Sequence, residues 1–228
     1  MRILVTNDDG WGSVGIQALE SVAAEFGEVW TVAPENPVSG ISHQMTFERP
    51  MSFAKKTTRS YSLDGTPADC VRVGLTQLDI DFDWVFSGIN QGANLGSDVN
   101  ISGTVAAVRE ASLFQCRGIA FSQHLRQFNA PHDWSKPSEL AKRVIPKLFE
   151  WEIECRNWFN VNFPDIGKGD PEDVKIVEAE LDQNPLPSVY LAAGDGQIVY
   201  CGQYKDRART PGLDADICFQ GSVAITLH

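Results

Sequence analysis

Arg2-Ile3-Leu4-Val5-Thr6-Asn7-Asp8-Asp9-Gly10 carries an apolar run into two adjacent carboxylates and then into a glycine turn. Ile3 to Val5 reads as a strand, because a short continuous apolar run bounded by turn residues suits a strand covered on both faces. Ile16, Leu19, Val22, Ala23 and Phe26 follow at helical spacing, and Val29 to Ala33 returns as a second strand closed by Pro34. The opening is therefore β-α-β. In an open α/β sheet, ligands collect beyond the carboxyl ends of the strands, which puts Asp8 and Asp9 where an active crevice is expected. Two adjacent carboxylates repel each other by roughly a few kcal/mol at an effective dielectric of about 20, and a divalent cation removes that repulsion. The pair predicts a metal site.

Outward from this unit the alternation continues. Thr66-Pro67 supplies a cap and a first-turn proline for a helix over Ala68 to Leu78, and Trp84-Val85-Phe86 is the next strand. Ser87 to Asp98 reads as a loop, and Ser102-Gly103-Thr104 opens a helix through Leu113. Gly118 to Ser122 is a strand, residues 125 to 137 a long exposed loop, Ser138 to Trp151 a helix, and Trp158 to Phe163 a strand ending at Pro164. Residues 45 to 64 suggest short strands in a hairpin. The pattern predicts an α/β fold with a mostly parallel sheet covered on both faces. Beyond it, Val174 to Val177, Val189 to Ala192, Ile198 to Tyr204 and Val223 to Thr226 predict a β-rich C-terminal extension. A single domain over 1–228 is expected, with its core at about 1–164 and the extension at about 165–228.

Composition narrows the chemistry. At 228 residues, 43% hydrophobic and 21% charged, the chain suits one sizeable globular domain. A net charge of −11 argues against a partner of polymeric nucleic acid, which calls for surplus Lys and Arg. Five scattered cysteines without C-x-x-C suggest neither a disulfide framework nor a zinc ribbon. With no hydrophobic run of signal or membrane length, no membrane association is expected and a cytoplasmic location is the default.

Three loops, Asn7 to Gly15, Pro34 to Ser42 and Ser87 to Thr104, open on one edge of such a sheet. Their side chains offer oxygen and amide groups, including Asp8, Asp9, Ser39, Asn90 and Asn94, and hard oxygen donors suit Mg²⁺, Mn²⁺ or Ca²⁺. Ser102-Gly103-Thr104 at a helix start offers an anion cradle of N–H groups and hydroxyls, although Ser102 and Thr104 suit helix capping equally well. A cation beside an anion cradle points to phosphate chemistry. His43 is a candidate proton shuttle or a solvated loop residue. An alternative is an NAD(P)-binding oxidoreductase, because Gly10, Gly12 and Gly15 match G-x-G-x-x-G with Glu35 about 20 residues on. Asp8 and Asp9 oppose it, since a pyrophosphate there meets two like charges. A third reading is a non-catalytic, metal-dependent nucleotide-binding protein.

Asn7-Asp8-Asp9-Gly10 with Gly15-Ile16, Val32-Ala33-Pro34 with Ser39-Gly40, Gly65-Thr66-Pro67-Ala68-Asp69-Cys70-Val71, and Ser87 to Gly96 through Ser102-Gly103-Thr104-Val105-Ala106-Ala107 closely resemble the SurE family of metal-dependent nucleotidases. Four blocks in order over the first 120 or so residues make the match specific, and Asn160-Val161-Asn162-Phe163-Pro164 continues it more weakly. The resemblance implies a Rossmann-like three-layer core and one divalent ion held by Asp8, Asp9, Ser39 and Asn90. It further implies hydrolysis of nucleoside 5′- and 3′-monophosphates, with some members acting on short polyphosphate, and a homodimer or homotetramer. On the chemistry of the residues themselves, Asp8 and Asp9 are expected to carry catalysis, and Asn94, Ser102, Gly103 and Thr104 to hold the substrate phosphate. Two departures stand beside the site: Val14 occupies a customary proline position and Val38 a customary arginine position.

Overall fold

The computed structural model describes residues 1–127 and 132–228. In chain order it contains β1 (Arg2–Thr6), α1 (Val14–Ala23), β2 (Glu28–Pro34), β3 (Phe53–Lys55), β4 (Ser60–Leu63), α2 (Pro67–Gln77), β5 (Trp84–Gln91), α3 (Gly103–Leu113) and β6 (Arg117–Gln123). α4 (Ser135–Phe149), β7 (Trp158–Phe163), β8 (Ile176–Glu178), β9 (Tyr190–Gly194), β10 (Gln197–Tyr200), α5 (Asp214–Phe219) and β11 (Val223–Leu227) complete it. A nine-stranded sheet runs β3-β4-β2-β1-β5-β6-β7-β11-β8, and β9 and β10 form a separate antiparallel hairpin. The six strands from β4 to β7 are mutually parallel, so their carboxyl ends share one edge. The α/β sheet and the antiparallel additions at the C-terminus match the sequence expectation.

The period-two alternation of β1 divides its side chains between two cores. Ile3 and Val5 pack with Leu19 and Val22 of α1 and Leu140 and Val144 of α4. Leu4 faces the opposite way, toward Cys70 and Val71 of α2 and Ala107 and Ala111 of α3. Phe86, Phe121, Phe159 and Phe163 are fully buried on successive strands, and each contributes about 2–3 kcal/mol relative to exposure. This double-sided cover holds the strand ends rigidly beneath the loops. At α2, Thr66 is the cap the sequence suggested, and Asp69 returns a second bond that completes a capping box.

Three expectations change. β5 continues to Gln91, where the sequence suggested a loop from Ser87; pairing with β6 resumes at Asn90 and Gln91 after an irregularity. Gly88 makes this possible, because a Cβ there would lie 2.2 Å from the Phe121 carbonyl oxygen and its φ is +128°. Asp214–Phe219, expected among strands, forms α5, with Leu213 extended before it. Of the expected loop of 125–137, residues 125–127 and 132–134 carry neither helix nor strand, α4 takes over from Ser135, and residues 128–131 lie outside the described ones. Among the described residues no helix is long and apolar enough to cross a membrane.

Candidate active site

β1 delivers Asp8 and Asp9 just past its last paired residue. Asp8 is 5% exposed, while Asp9 is half-buried. Thr104, in the first turn of α3, donates its hydroxyl to Asp8 Oδ1 at 2.6 Å, and the backbone N–H of Gln91 donates to Asp9 Oδ2 at 3.2 Å. Burial pushes the Asp8 carboxyl up to about 6, with the Thr104 bond opposing and the charge of Asp9 adding to the rise. Asp9 is raised too, again chiefly by burial. Among the described residues no Lys, Arg or His lies within the 4.0 Å ion-pair distance of either carboxylate. Two paired, desolvated anions without a protein cation fit a bound positive ion.

The other two loops reach the same point through their backbones. Val38 donates its N–H to the carbonyl oxygen of Asp8 at 2.8 Å, which sets Ser39 one residue from a direct link to the pair. Ser42 anchors that loop from the far side, its N–H on the Ile101 carbonyl at 2.9 Å and its hydroxyl on Asn100 at 2.7 Å. Asn90 directly precedes Gln91, whose N–H holds Asp9. Its amide nitrogen donates to the Gly92 carbonyl at 2.9 Å, leaving the amide oxygen available to a cation. Ser39 is exposed and Asn90 half-buried. Among the described residues no three His, Cys, Asp or Glu side chains gather into a metal cage. An ion here would rest on two carboxylates, a hydroxyl and an amide, the all-oxygen set that suits a hard divalent cation.

The anion cradle is built as follows. Ser102 caps α3, its hydroxyl oxygen accepting from Val105 N–H at 3.1 Å, which leaves the hydroxyl hydrogen free to donate. Gly103 starts the helix, where an N–H has no intrahelical carbonyl to meet. A Cβ on Gly103 would lie 3.0 Å from Asp8 Oδ2, so only glycine lets the helix start press this closely on the carboxylate. Thr104, expected on phosphate, spends its hydroxyl on Asp8. The Asn94 amide gives one hydrogen to Ser122 Oγ at 2.8 Å and keeps a second.

Several supporting residues escaped the sequence reading. Asn162 Oδ1 accepts from Asn94 N–H at 2.8 Å, while Asn160 and Asn162 amides donate to the Asn94 carbonyl at 2.8 and 3.1 Å. Two fully buried asparagines alternating with Val161 on a central strand were the available signal. Farther along, Asp98 forms a buried ion pair with Arg207 at 2.6 Å, and Tyr204 donates to the same Asp98 oxygen at 2.7 Å. Arg207 also holds the Leu95 carbonyl at 2.9 Å, and Asp214 accepts from Gly96 N–H at 2.7 Å. The C-terminal segment thus clamps the loop between Asn94 and Ser102.

His43 is placed away from the shuttle role, its Nε2 2.9 Å from the buried Glu110, which also receives Arg72. Arg49 pairs with Asp64, so Arg49 and Arg72 are both committed elsewhere and neither stands in for the arginine missing at Val38. The glycine fingerprint has a packing cause: a Cβ on Gly15 would lie 2.1 Å from the Ile89 carbonyl oxygen. Glu35, the expected ribose ligand, is exposed and 3.9 Å from Lys56.

The family model described as survival protein SurE matches residues 3–184. A Nostoc sp. (strain PCC 7120) protein whose name carries the term 5′-nucleotidase is 40% identical over 226 residues, covering 99% of this chain and 98% of its own. The protein named 5′-nucleotidase SurE from Paramagnetospirillum magneticum (strain AMB-1) is 34% identical, covering 99% and 88% respectively. The crystal structure of the SurE protein from Aquifex aeolicus superposes with a TM-score of 0.87 at 30% identity, over 100% of this chain and 93% of that one. On matched blocks, matched architecture and similarity along its whole length, the chain belongs to the SurE family.

Proposed function

We propose that this chain is a divalent-metal-dependent phosphomonoesterase that converts nucleoside 5′- and 3′-monophosphates to nucleoside and phosphate, with short polyphosphate as a further substrate. The observation that carries the reading is the meeting of three segments at Asp8 and Asp9, with Val38 N–H on the Asp8 backbone carbonyl and Gln91 N–H on the Asp9 carboxylate. Relatives named for 5′-nucleotidase activity, similar over nearly the whole chain, support the substrate class.

Asp8, Asp9, Ser39 and Asn90 would hold the ion. Bound there, it supplies charge neutralisation for a phosphoryl oxygen and a lowered pKa for a water. Thr104 and Gln91 each occupy one carboxylate oxygen, so Asp8 Oδ2 and Asp9 Oδ1 remain to bind the ion or to move a proton. The Ser102 hydroxyl, the Gly103 N–H and the second hydrogen of the Asn94 amide hold the nonbridging oxygens as charge develops on them. α3 adds the positive end of its dipole.

The test is phosphate release from adenosine monophosphate after chelation and add-back of Mn²⁺ or Mg²⁺. Metal-restored release that falls at least about 100-fold in Asp8→Asn and in Asp9→Asn supports the proposal. Release that survives chelation, or survives in both variants, refutes it; metal-dependent binding without release establishes a nucleotide-binding protein instead. A homodimer or homotetramer belongs to this reading. Its support is the β9–β10 hairpin, which exposes Tyr190, Leu191, Ile198 and Val199 by 49–69%.

A further inference from the structure

Beside the loop that carries Asn90 and Asn94, a cavity of about 680 Å³ opens where β5 and β6 end. Gly92 and Ala93 line it, and Gly92 directly follows Gln91, whose N–H holds Asp9, while its own carbonyl holds the Asn90 amide. His124, Tyr204 and Phe219 line the cavity as well. The ring centroids of His124 and Phe219 are 4.4 Å apart, and those of Tyr204 and Phe219 are 6.1 Å apart in a stacked arrangement. Tyr204 is fixed by its bond to Asp98, and burial holds the His124 imidazole down to about 4, so these rings carry no charge at neutral pH.

Three cations rim the cavity: Arg126, Lys205 and Arg209. All are exposed, and among the described residues none has a carboxylate within ion-pair distance. The guanidinium carbon of Arg209 stands over Phe219, 4.5 Å from the ring centre. Asp165 accepts from the Arg126 backbone N–H at 3.0 Å and offsets part of this charge. In a chain with a net charge of −11, such a group of unmatched cations beside an aromatic wall suits a ligand that is both planar and anionic.

We propose that this cavity receives the leaving side of the substrate, a nucleobase against Phe219, Tyr204 and His124, with a second phosphate on the same ribose held by Arg126, Lys205 and Arg209. The preferred substrates are then nucleoside 3′,5′-bisphosphates rather than monophosphates. This inference rests on the phosphomonoesterase reading above. In the reaction, the water oxygen bonds to the phosphorus at Asp8 and Asp9 while the P–O ester bond breaks. The departing alkoxide takes a proton, and the products are inorganic phosphate and a nucleoside monophosphate.

The experiment compares adenosine 3′,5′-bisphosphate with adenosine 5′-monophosphate in the wild type and in the Lys205→Ala/Arg209→Ala variant, whose changes lie on the surface. The kcat/KM ratio of bisphosphate to monophosphate is expected to exceed about 10 in the wild type and to approach 1 in the variant. A wild-type ratio near 1, or a ratio the variant leaves unchanged, overturns the proposal. Calorimetric titration in chelator judges the cavity separately from turnover: the bisphosphate binds more tightly than the monophosphate, and the variant loses that margin. Tripolyphosphate, which has charge but no ring, is expected to bind more weakly than the bisphosphate, and equal binding overturns the aromatic half. If no nucleotide releases phosphate, the enzyme reading falls while the titration still decides for or against the cavity.

Discussion

Asp8 carries its charge against burial, and that makes its ionisation a stability term. Its carboxyl is raised from 3.8 to about 6 on folding, so the folded chain binds the proton more tightly than the unfolded chain between those values. The stabilising contribution is complete below about pH 4 and lost as pH rises through about 6, a change of about 3 kcal/mol. His124 and His228, both lowered by burial to about 4, act in the opposite sense, so the term is isolated by a variant. In chelator at pH 7, Asp8→Asn is expected to melt several degrees above the wild type, with the gap closing near pH 4; equal melting at pH 7 would contradict the desolvation account. Thr104→Val removes a buried bond to a charged group and is expected to lower kcat/KM about 10- to 100-fold, while Thr104→Ser retains most activity. Steady-state kinetics of the pair decide this. That two carboxylates stand together past β1 was legible, because they adjoin in sequence after an apolar strand. The bond from Thr104 was not, since it joins residues 96 positions apart and only the packed sheet brings them together.

Most strands and helices announced themselves through periodicity, with Trp158–Phe163 read to the residue. Errors fell where long-range contacts override local pattern. Ser87 to Gln91 is rich in glycine and amides, as a loop is, yet β6 pairs with it because Gly88 admits the Phe121 carbonyl. Asp214–Phe219 is too short for a helical period to register, and it forms against Leu95 and Ala224. The clamp of Arg207 on the loop before α3 was equally silent, being the pairing of two charges from distant segments. Arg207→Met leaves Asp98 buried without its partner and is expected to destabilise the fold by about 3–5 kcal/mol. Denaturant unfolding measures that cost. A loss below about 1 kcal/mol would show the ion pair to be incidental.

The whole molecule presents one surface that a solitary domain has little use for. Among the described residues β9 and β10 pair only with each other, and their apolar side chains stand in solvent on both strands. A two-stranded hairpin alone is marginal in water, and the proposed oligomer would cover it. Leu191→Asp with Ile198→Asp is expected to lower the mass found by sedimentation, and an unchanged mass would remove the hairpin from the interface. The sequence showed the strands but not their solvent exposure, because the same apolar spacing serves a core or a contact. One consequence concerns synthesis. Every group assigned to the metal and to the phosphate being cleaved lies within the first 104 residues, while Arg207, Asp214 and β11 come near the end. A ribosome therefore delivers the reagents early and their brace last, and a half-made chain leaves its tunnel holding the parts of a catalyst that does not yet work.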